Sequence, residues 1–340
     1  MRPFGFERPE TLERAAGIVA AREDRAAPPP LSSAQFIAGG TNMADYMKLG
    51  VMRPNLLVDI GRLADPGLRR IAASPDGIRL GALVRMSEAE ENADIRIGYP
   101  VIAESLQQAA SQQIRNMASL GGNILQRTRC EYFRDISWAC NKRDPGSGCA
   151  AMDGFNRQHA VLGVSDRCIA TYHGDFAQAL IALDASVETQ SPRGGRTMAF
   201  SELHRLPGET PHVETQLMAD ELITLIDIPA KPWARRSHYL KIRDRQSYAF
   251  AVASVAVVLD LEDGAVRDVR IALGGLATVP WRAQEAEDEL KGGPLDERTA
   301  GRAAEAAFAG AMPREHNAFK ISLGRQALVR ALLETRDMRV

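Results

Sequence analysis

Phe36-Ile37-Ala38-Gly39-Gly40-Thr41-Asn42-Met43 and, further along, Ala118-Ser119-Leu120-Gly121-Gly122-Asn123-Ile124 are the two stretches that decide how the chain is read. In the first, an apolar strand runs into two residues without Cβ, which lets backbone N–H groups turn toward an anion and approach it closely. Thr41 and Asn42 add side-chain donors. The dinucleotide fingerprint G-x-G-x-x-G and the Walker pattern are both absent, so neither a Rossmann nor a P-loop fold is indicated. Taken alone, Gly-Gly after a strand is more often a tight turn than a cofactor loop. The second stretch repeats the pattern, with small residues, a hydroxyl, paired glycines and an amide, and two such loops can clasp one long ligand.

Outward from the first loop, Pro9 to Ala21 carries Leu12, Ala15, Ala16 and Val19 at helix-face spacing. After Asn42, helix-compatible residues from Ala44 to Leu49 lead to a buried strand over Leu56 to Ile60, an α/β unit. Ile78 to Ala82 predicts a strand, Ser87 with Glu90 a capping box, and Pro100 a helix start with Ile102, Leu106 and Ala109 facing inward. The chain between Asn123 and Gly163 is loop-rich. Cys168 to Tyr172 predicts a strand and Asp175 to Asp184 a helix. Past Pro229 the composition changes, and Pro232-Trp233 reads as a joint. Tyr248 to Leu261 predicts a long strand turned by Glu262-Asp263-Gly264 into Val266 to Leu273, a hairpin signal. Helices over Glu297 to Ala309 and Ile321 to Leu333 complete a small α+β tail.

At 340 residues the chain has room for two or three domains of about 150 residues. Its 45% hydrophobic and 25% charged residues are those of an ordinary globular protein. With 42 basic against 43 acidic residues there is no global field to hold a phosphate backbone, so nucleic acid is not an expected partner. No apolar run approaches the ~20 residues of a membrane span, and Met1 to Pro9 lacks the apolar stretch of a signal peptide. Alone, the chain is expected in the cytoplasm without membrane insertion. The six histidines form no metal motif. His173 is expected to be packed or solvent-facing, and Glu88, Glu90 and Glu91 a solvated face. No Ser/His/Asp triad is present, and no catalytic residue is assigned.

All four cysteines fall between Cys130 and Cys168, with Cys140 and Cys149 between them, so they read as one joint feature. Four soft thiolates suit zinc or an iron–sulfur cluster. The short C-x2-C knuckles of structural zinc are missing, and so is ferredoxin spacing, so the spacing alone does not choose. Disulfides and reduced thiols stay open too. Arg127, Arg129, Arg134, Lys142 and Arg143 crowd the segment, and cations would offset a thiolate-ligated cluster.

Ala38-Gly39-Gly40-Thr41-Asn42, Arg115-Asn116 with Ala118 to Asn123, Cys168-Ile169-Ala170 before His173-Gly174-Asp175, and the tail segments Tyr239 to Arg243 and Ser247 to Ala251 together resemble the FAD-binding medium subunit of the molybdenum hydroxylase family. The resemblance covers essentially the whole chain. It implies an α+β fold: FAD-binding subdomain 1 over 1–60, subdomain 2 over 61–230 with an iron–sulfur insertion at about 125–168, and a C-terminal flavoprotein domain over 231–340. The two-part FAD domain is of the vanillyl-alcohol-oxidase type. By the same resemblance Ile37, Ala38, Gly39, Gly40, Thr41, Asn42, Met43, Ala44 and Asp45 lie at the FAD pyrophosphate and ribityl chain. Ser119, Gly121, Gly122 and Asn123 form the second loop, with Ala109, Asp135 and Asp175 as further contacts. Ile223 packs on the flavin, and Lys241 beside it would stabilise negative charge on the reduced ring.

The cysteine segment, through Cys130-Glu131-Tyr132-Phe133-Arg134-Asp135 and Cys140-Asn141-Lys142-Arg143, is similar to the bacterial aldehyde oxidoreductase flavoprotein subgroup, which implies a 4Fe-4S cluster on Cys130, Cys140, Cys149 and Cys168. That subgroup implies partners, a large molybdopterin subunit and a small 2Fe-2S subunit. It also implies co-export to the periplasm on the small subunit's signal. A stand-alone FAD oxidoreductase and a zinc-binding scaffold are the competing readings.

Overall fold

The computed structural model describes residues 1–340. Strands β1 (Gly5–Glu7), β2 (Ala34–Ile37) and β3 (Leu56–Asp59) form a parallel sheet in the order β1-β3-β2. Parallel neighbours need crossover connections, and the helices Leu12–Ala20 and Met43–Lys48 supply them. The first begins where Thr11 Oγ1 accepts from the Arg14 N–H at 3.2 Å, and buries Ala15, Ala16, Ile18 and Val19.

The second sheet is antiparallel: β4 (Ile71–Ser74), β5 (Gly77–Gly81), β6 (Ser186–Ser191), β7 (Gly194–Ala199) and β8 (Leu222–Pro229), ordered β4-β5-β8-β6-β7. The β6–β7 hairpin escapes sequence reading because its inward positions are partly polar. Val187, Thr189 and Ser191 face in, and Thr189 is made tolerable there by donating to Glu221 Oε1 at 2.5 Å.

The third sheet, β9 (Ser237–Ile242), β10 (Ala253–Glu262), β11 (Ala265–Gly274) and β12 (Trp281–Arg282), runs antiparallel in the order β12-β11-β10-β9. Asp263 (φ 50°) and Gly264 (φ 81°) turn the predicted hairpin, two consecutive left-handed residues as a tight strand-to-strand turn requires. Both faces of β10 are covered. Val255, Val257 and Leu259 join the core under the helices Gln284–Leu290, Glu297–Ala307 and Phe319–Arg336, whereas Ala256 and Val258 join the core of the five-stranded sheet. Between those two sheets lie the helices Pro100–Gln107 and Phe176–Ala182, the latter buried along its whole length. The tail therefore shares a core with what precedes it. No helix is long and apolar enough to cross a membrane.

Four expectations are corrected. β10 starts at Ala253, because Tyr248 is left-handed (φ 51°) and residues 243–251 turn as a loop. Cys168 to Tyr172 is extended but forms no ladder. It is pinned by the Tyr172 N–H donating to the Ala277 carbonyl at 3.0 Å and the Ala160 N–H donating to that of Ile169 at 2.9 Å. The capping carboxylate is Glu88, accepting from the Arg85 N–H at 2.9 Å. Glu90, expected on a solvated face, is instead buried and paired with Arg115 at 2.5 Å. The last helix buries Leu328 completely in the tail core; Leu328→Ala is expected to lower unfolding free energy by about 2–5 kcal/mol, read as a shift of the urea midpoint at unchanged slope.

Candidate functional site

The loop leaving β2 is built as a receptor for negative charge. The N–H groups of Gly39, Gly40, Thr41 and Asn42 donate to no other group of the chain, and all four residues are only half-buried. Such successive free donors form an anion-binding nest. Gly40 holds φ 74°, where a side chain would be strained. Gly39 is fixed by space: a Cβ there would stand 1.9 Å from the Met117 carbonyl oxygen. The first loop thus packs backbone against backbone on the residues that open the second.

The second loop spends its donors internally. Leu120, Gly121 and Asn123 N–H groups donate to the carbonyls of Val84 (2.9 Å), Ala82 (2.8 Å) and Ser119 (2.8 Å), and Gly122 N–H donates to Ser119 Oγ at 3.2 Å. A Cβ on Gly121 would stand 3.0 Å from that of Ala82. What this loop brings to the cavity wall is the pair of side chains Ser119 and Asn123, with the Asn123 Oδ1 itself buried and unpartnered.

Both loops open on one cavity of about 980 Å³, at the upper end of the usual range for a small-molecule or cofactor site. The structure brings to its wall Ile37, Ala38, Gly39, Gly40, Thr41, Asn42, Met43, Asp45, Ala109, Ser119, Gly121, Gly122, Asn123, Asp175 and Ile223. Three of the expected contacts lie elsewhere. Ala44 sits behind the loop, its N–H donating to the Gly40 carbonyl at 2.9 Å. Asp135 accepts from Ser137, off the cavity wall. Lys241 stands behind Asp175, donating to its Oδ2 at 2.8 Å and to the Gln108 carbonyl at 2.9 Å. Tyr239 donates to the other carboxylate oxygen at 2.6 Å. Burial pushes the Asp175 carboxyl up, and the Lys241 ammonium opposes this.

Sequence reading missed Arg129, His173, Tyr248 and Phe250 on the same wall. The two aromatics read as the start of a strand, and His173, although close to Asp175 in a recognised segment, has no partner in sequence to give it a role. Arg129 and Arg134 both hold Asp45, at 2.7 and 2.6 Å, and Arg129 donates to Asn42 Oδ1 at 2.7 Å. The Arg134 guanidinium beside Asp45 keeps its carboxyl below the usual range.

The four cysteines are free thiols. Cys130, Cys140 and Cys168 are buried and Cys149 half-buried, gathered with Tyr46, Phe133 and Ile169 in one apolar cluster. Cys140 and Cys149 face each other across an isolated antiparallel bridge. His159 Nε2 lies 3.1 Å from Cys130 Sγ. Burial raises the Cys130 and Cys149 thiols and pushes Cys168 up to about 11. No three His, Cys, Asp or Glu side chains are grouped to hold a single metal ion. Several of the nearby cations have partners of their own, and the Lys142 charge acts on the Cys168 thiol against the effect of burial. Arg127 pairs with Glu214 at 2.6 Å, with Lys142 3.7 Å from the same residue, and Arg143 donates to the Tyr132 and Phe133 carbonyls at 2.8 and 2.7 Å.

A nest of free N–H donors, a cavity of cofactor size and a second glycine loop make a site suited to a large anionic ligand. The FAD binding domain in molybdopterin dehydrogenase matches residues 2–231, and the CO dehydrogenase flavoprotein C-terminal domain matches residues 238–335. The chain belongs to this family of FAD-binding molybdenum hydroxylase flavoproteins, and is an oxidoreductase subunit. It is 43% identical over 338 residues, 99% of each chain, to the aldehyde oxidoreductase FAD-binding subunit PaoB of Escherichia coli K12. To the nicotine 6-hydroxylase medium subunit of Paenarthrobacter nicotinovorans it is 28% identical, over 88% of this chain and 84% of that one. Its fold matches a chain of reconstituted CO dehydrogenase from Oligotropha carboxidovorans with a TM-score of 0.75 at 23% identity, over 99% of both chains.

Gly39→Ala is expected to separate the two loops and to lower bound FAD per chain by about tenfold or more, the equivalent of losing one or two good contacts. In Gly301→Ala the new Cβ meets nothing within 4 Å on the helix Glu297–Ala307. That control is expected to keep its FAD and to gain about 0.5–1 kcal/mol of stability. Acid-released flavin and thermal melting of the two proteins check both outcomes.

Proposed function

We propose that this chain is the FAD-carrying electron-transfer subunit of a molybdenum-dependent aldehyde oxidoreductase. One observation supports the site assignment above the rest: the free N–H groups of Gly39 to Asn42 lie on the wall of the cavity that Ser119 and Asn123 also line. The identity with the aldehyde oxidoreductase subunit supports the substrate class, which a partner chain would recognise. When bound, FAD supplies the redox chemistry of the subunit. The Gly39 to Asn42 donors hold its diphosphate, and Ser119 and Asn123 face it from the second loop. Asp175, fixed by Lys241 and Tyr239, presents a carboxylate to the cavity, so Lys241 acts through Asp175. Ile223 supplies apolar wall.

In this reading Cys130, Cys140, Cys149 and Cys168 hold a 4Fe-4S cluster. Four free thiols gathered around one apolar cluster support it, as does the resemblance of the segment to the subgroup that carries one. The partners are a large molybdopterin subunit and a small 2Fe-2S subunit, which delivers electrons to FAD. Export to the periplasm in company with the small subunit belongs to the same reading.

Protein purified anaerobically apart from its partners is expected to carry one FAD and about four irons with matching sulfide per chain. Cys140→Ser is expected to lose iron while keeping FAD. Zinc without flavin would overturn the redox reading in favour of a scaffold; FAD without iron would remove the cluster alone.

A further inference from the structure

His173 is on the cavity wall, yet the diphosphate nest, the second loop and the Asp175 pair leave it without a task. Its ring is held on two sides. One edge meets Phe250, with centroids 5.1 Å apart and planes at 79°. Nδ1 lies 2.9 Å from the Thr171 carbonyl oxygen, which Thr128 Oγ1 also fixes by donating to it at 2.9 Å. A carbonyl only accepts, so Nδ1 carries the ring proton. The Arg129 N–H points at the same atom from 3.4 Å, and the shorter contact to the carbonyl is taken to set the tautomer. Nε2 is left as a bare lone pair. No group of the chain donates to it, and it is absent from the sealed, unpartnered atoms of the interior, so it opens on the cavity. Burial, reinforced by the Lys320 charge, drives the imidazole down to about 3 and keeps it neutral at working pH. A neutral imidazole with Nδ1–H committed is an acceptor at Nε2 and nothing else.

The ring's position selects the donor. Arg129 reaches from its backbone beside His173 to Asn42 Oδ1 of the nest, at 2.7 Å, and its guanidinium sits 5.3 Å from the centre of the same Phe250 ring. His173 is thus about one arginine's length from the diphosphate donors. The groups that flank the diphosphate of FAD on either side are sugar hydroxyls. We propose that His173 is a cofactor-binding residue whose Nε2 accepts a hydrogen bond from a sugar-chain hydroxyl of FAD. This rests on FAD occupying the cavity. That premise is tested separately, because wild-type protein that binds no FAD fails before any variant is compared.

The test uses the full chain stripped of flavin and titrated with FAD, following flavin fluorescence. His173→Leu is expected to bind oxidised FAD about tenfold more weakly, the effect of one good hydrogen bond. His173→Gln, which offers a carbonyl oxygen near the Nε2 position, is expected to recover most of that loss. The flavin midpoint potential is expected to be the same in all three proteins, because the hydroxyl is unchanged between oxidation states. If His173→Leu fails to fold, His173→Met against His173→Gln makes the same comparison at matched length. Wild-type affinity in the Leu or Met protein would overturn the proposal. So would a shifted potential at unchanged affinity for oxidised FAD, which would put the contact on a ring N–H of the reduced flavin.

Discussion

The contact on which the rest of the site depends is backbone against backbone, Gly39 on the Met117 carbonyl. There is no room there for even a methyl group. Because the chain before Met117 belongs to the second lobe and Gly39 closes the first sheet, this contact sets the separation of the two halves of the cavity. It also divides the work between two loops that look alike in sequence. The first keeps four donors free and so can take a diphosphate. The second consumes its donors in its own turn and offers rigid side chains instead. Pairs of glycines therefore serve two purposes here, donor exposure at Gly39-Gly40 and close packing at Gly121-Gly122.

The tail closes the cavity without forming a separate lobe. β10 is covered on both faces, which accounts for its unbroken apolar run where a half-exposed strand would alternate. Its neighbour β9 brings Tyr239 and Lys241 onto Asp175 across that shared core. A buried ion pair of this kind is weak evidence of stabilisation, because desolvation offsets much of the attraction. Removing one partner would cost about 3–5 kcal/mol by leaving a buried charge alone. Its effect on function is geometric: the carboxylate at the cavity is held from behind by groups of the C-terminal sheet.

Much of this was legible in the sequence. The glycine loops, the helix from Pro100 and the Asp263-Gly264 hairpin each follow from local chemistry. Most of the residues named by the resemblance line one cavity. What was hidden depends on distant partners. Glu90 looks like part of an acidic face until Arg115 folds against it. Lys241 looks like a flavin neighbour until Asp175 takes its charge, and His173 looks idle until Phe250 and Thr171 orient it. Tyr248 and Phe250 continue the apolar pattern of β10, and only the left-handed turn at Tyr248 shows that they belong to the cavity rim.

The asymmetry between the loops is the central claim, and backbone amide hydrogen exchange with and without FAD tests it most directly. The account predicts that Gly39, Gly40, Thr41 and Asn42 exchange freely in the flavin-free protein and become strongly protected when FAD binds. Leu120 to Asn123, already bonded within the chain, should be slow in both. Equal changes in the two loops, or no protection at Gly39 to Asn42, would contradict it.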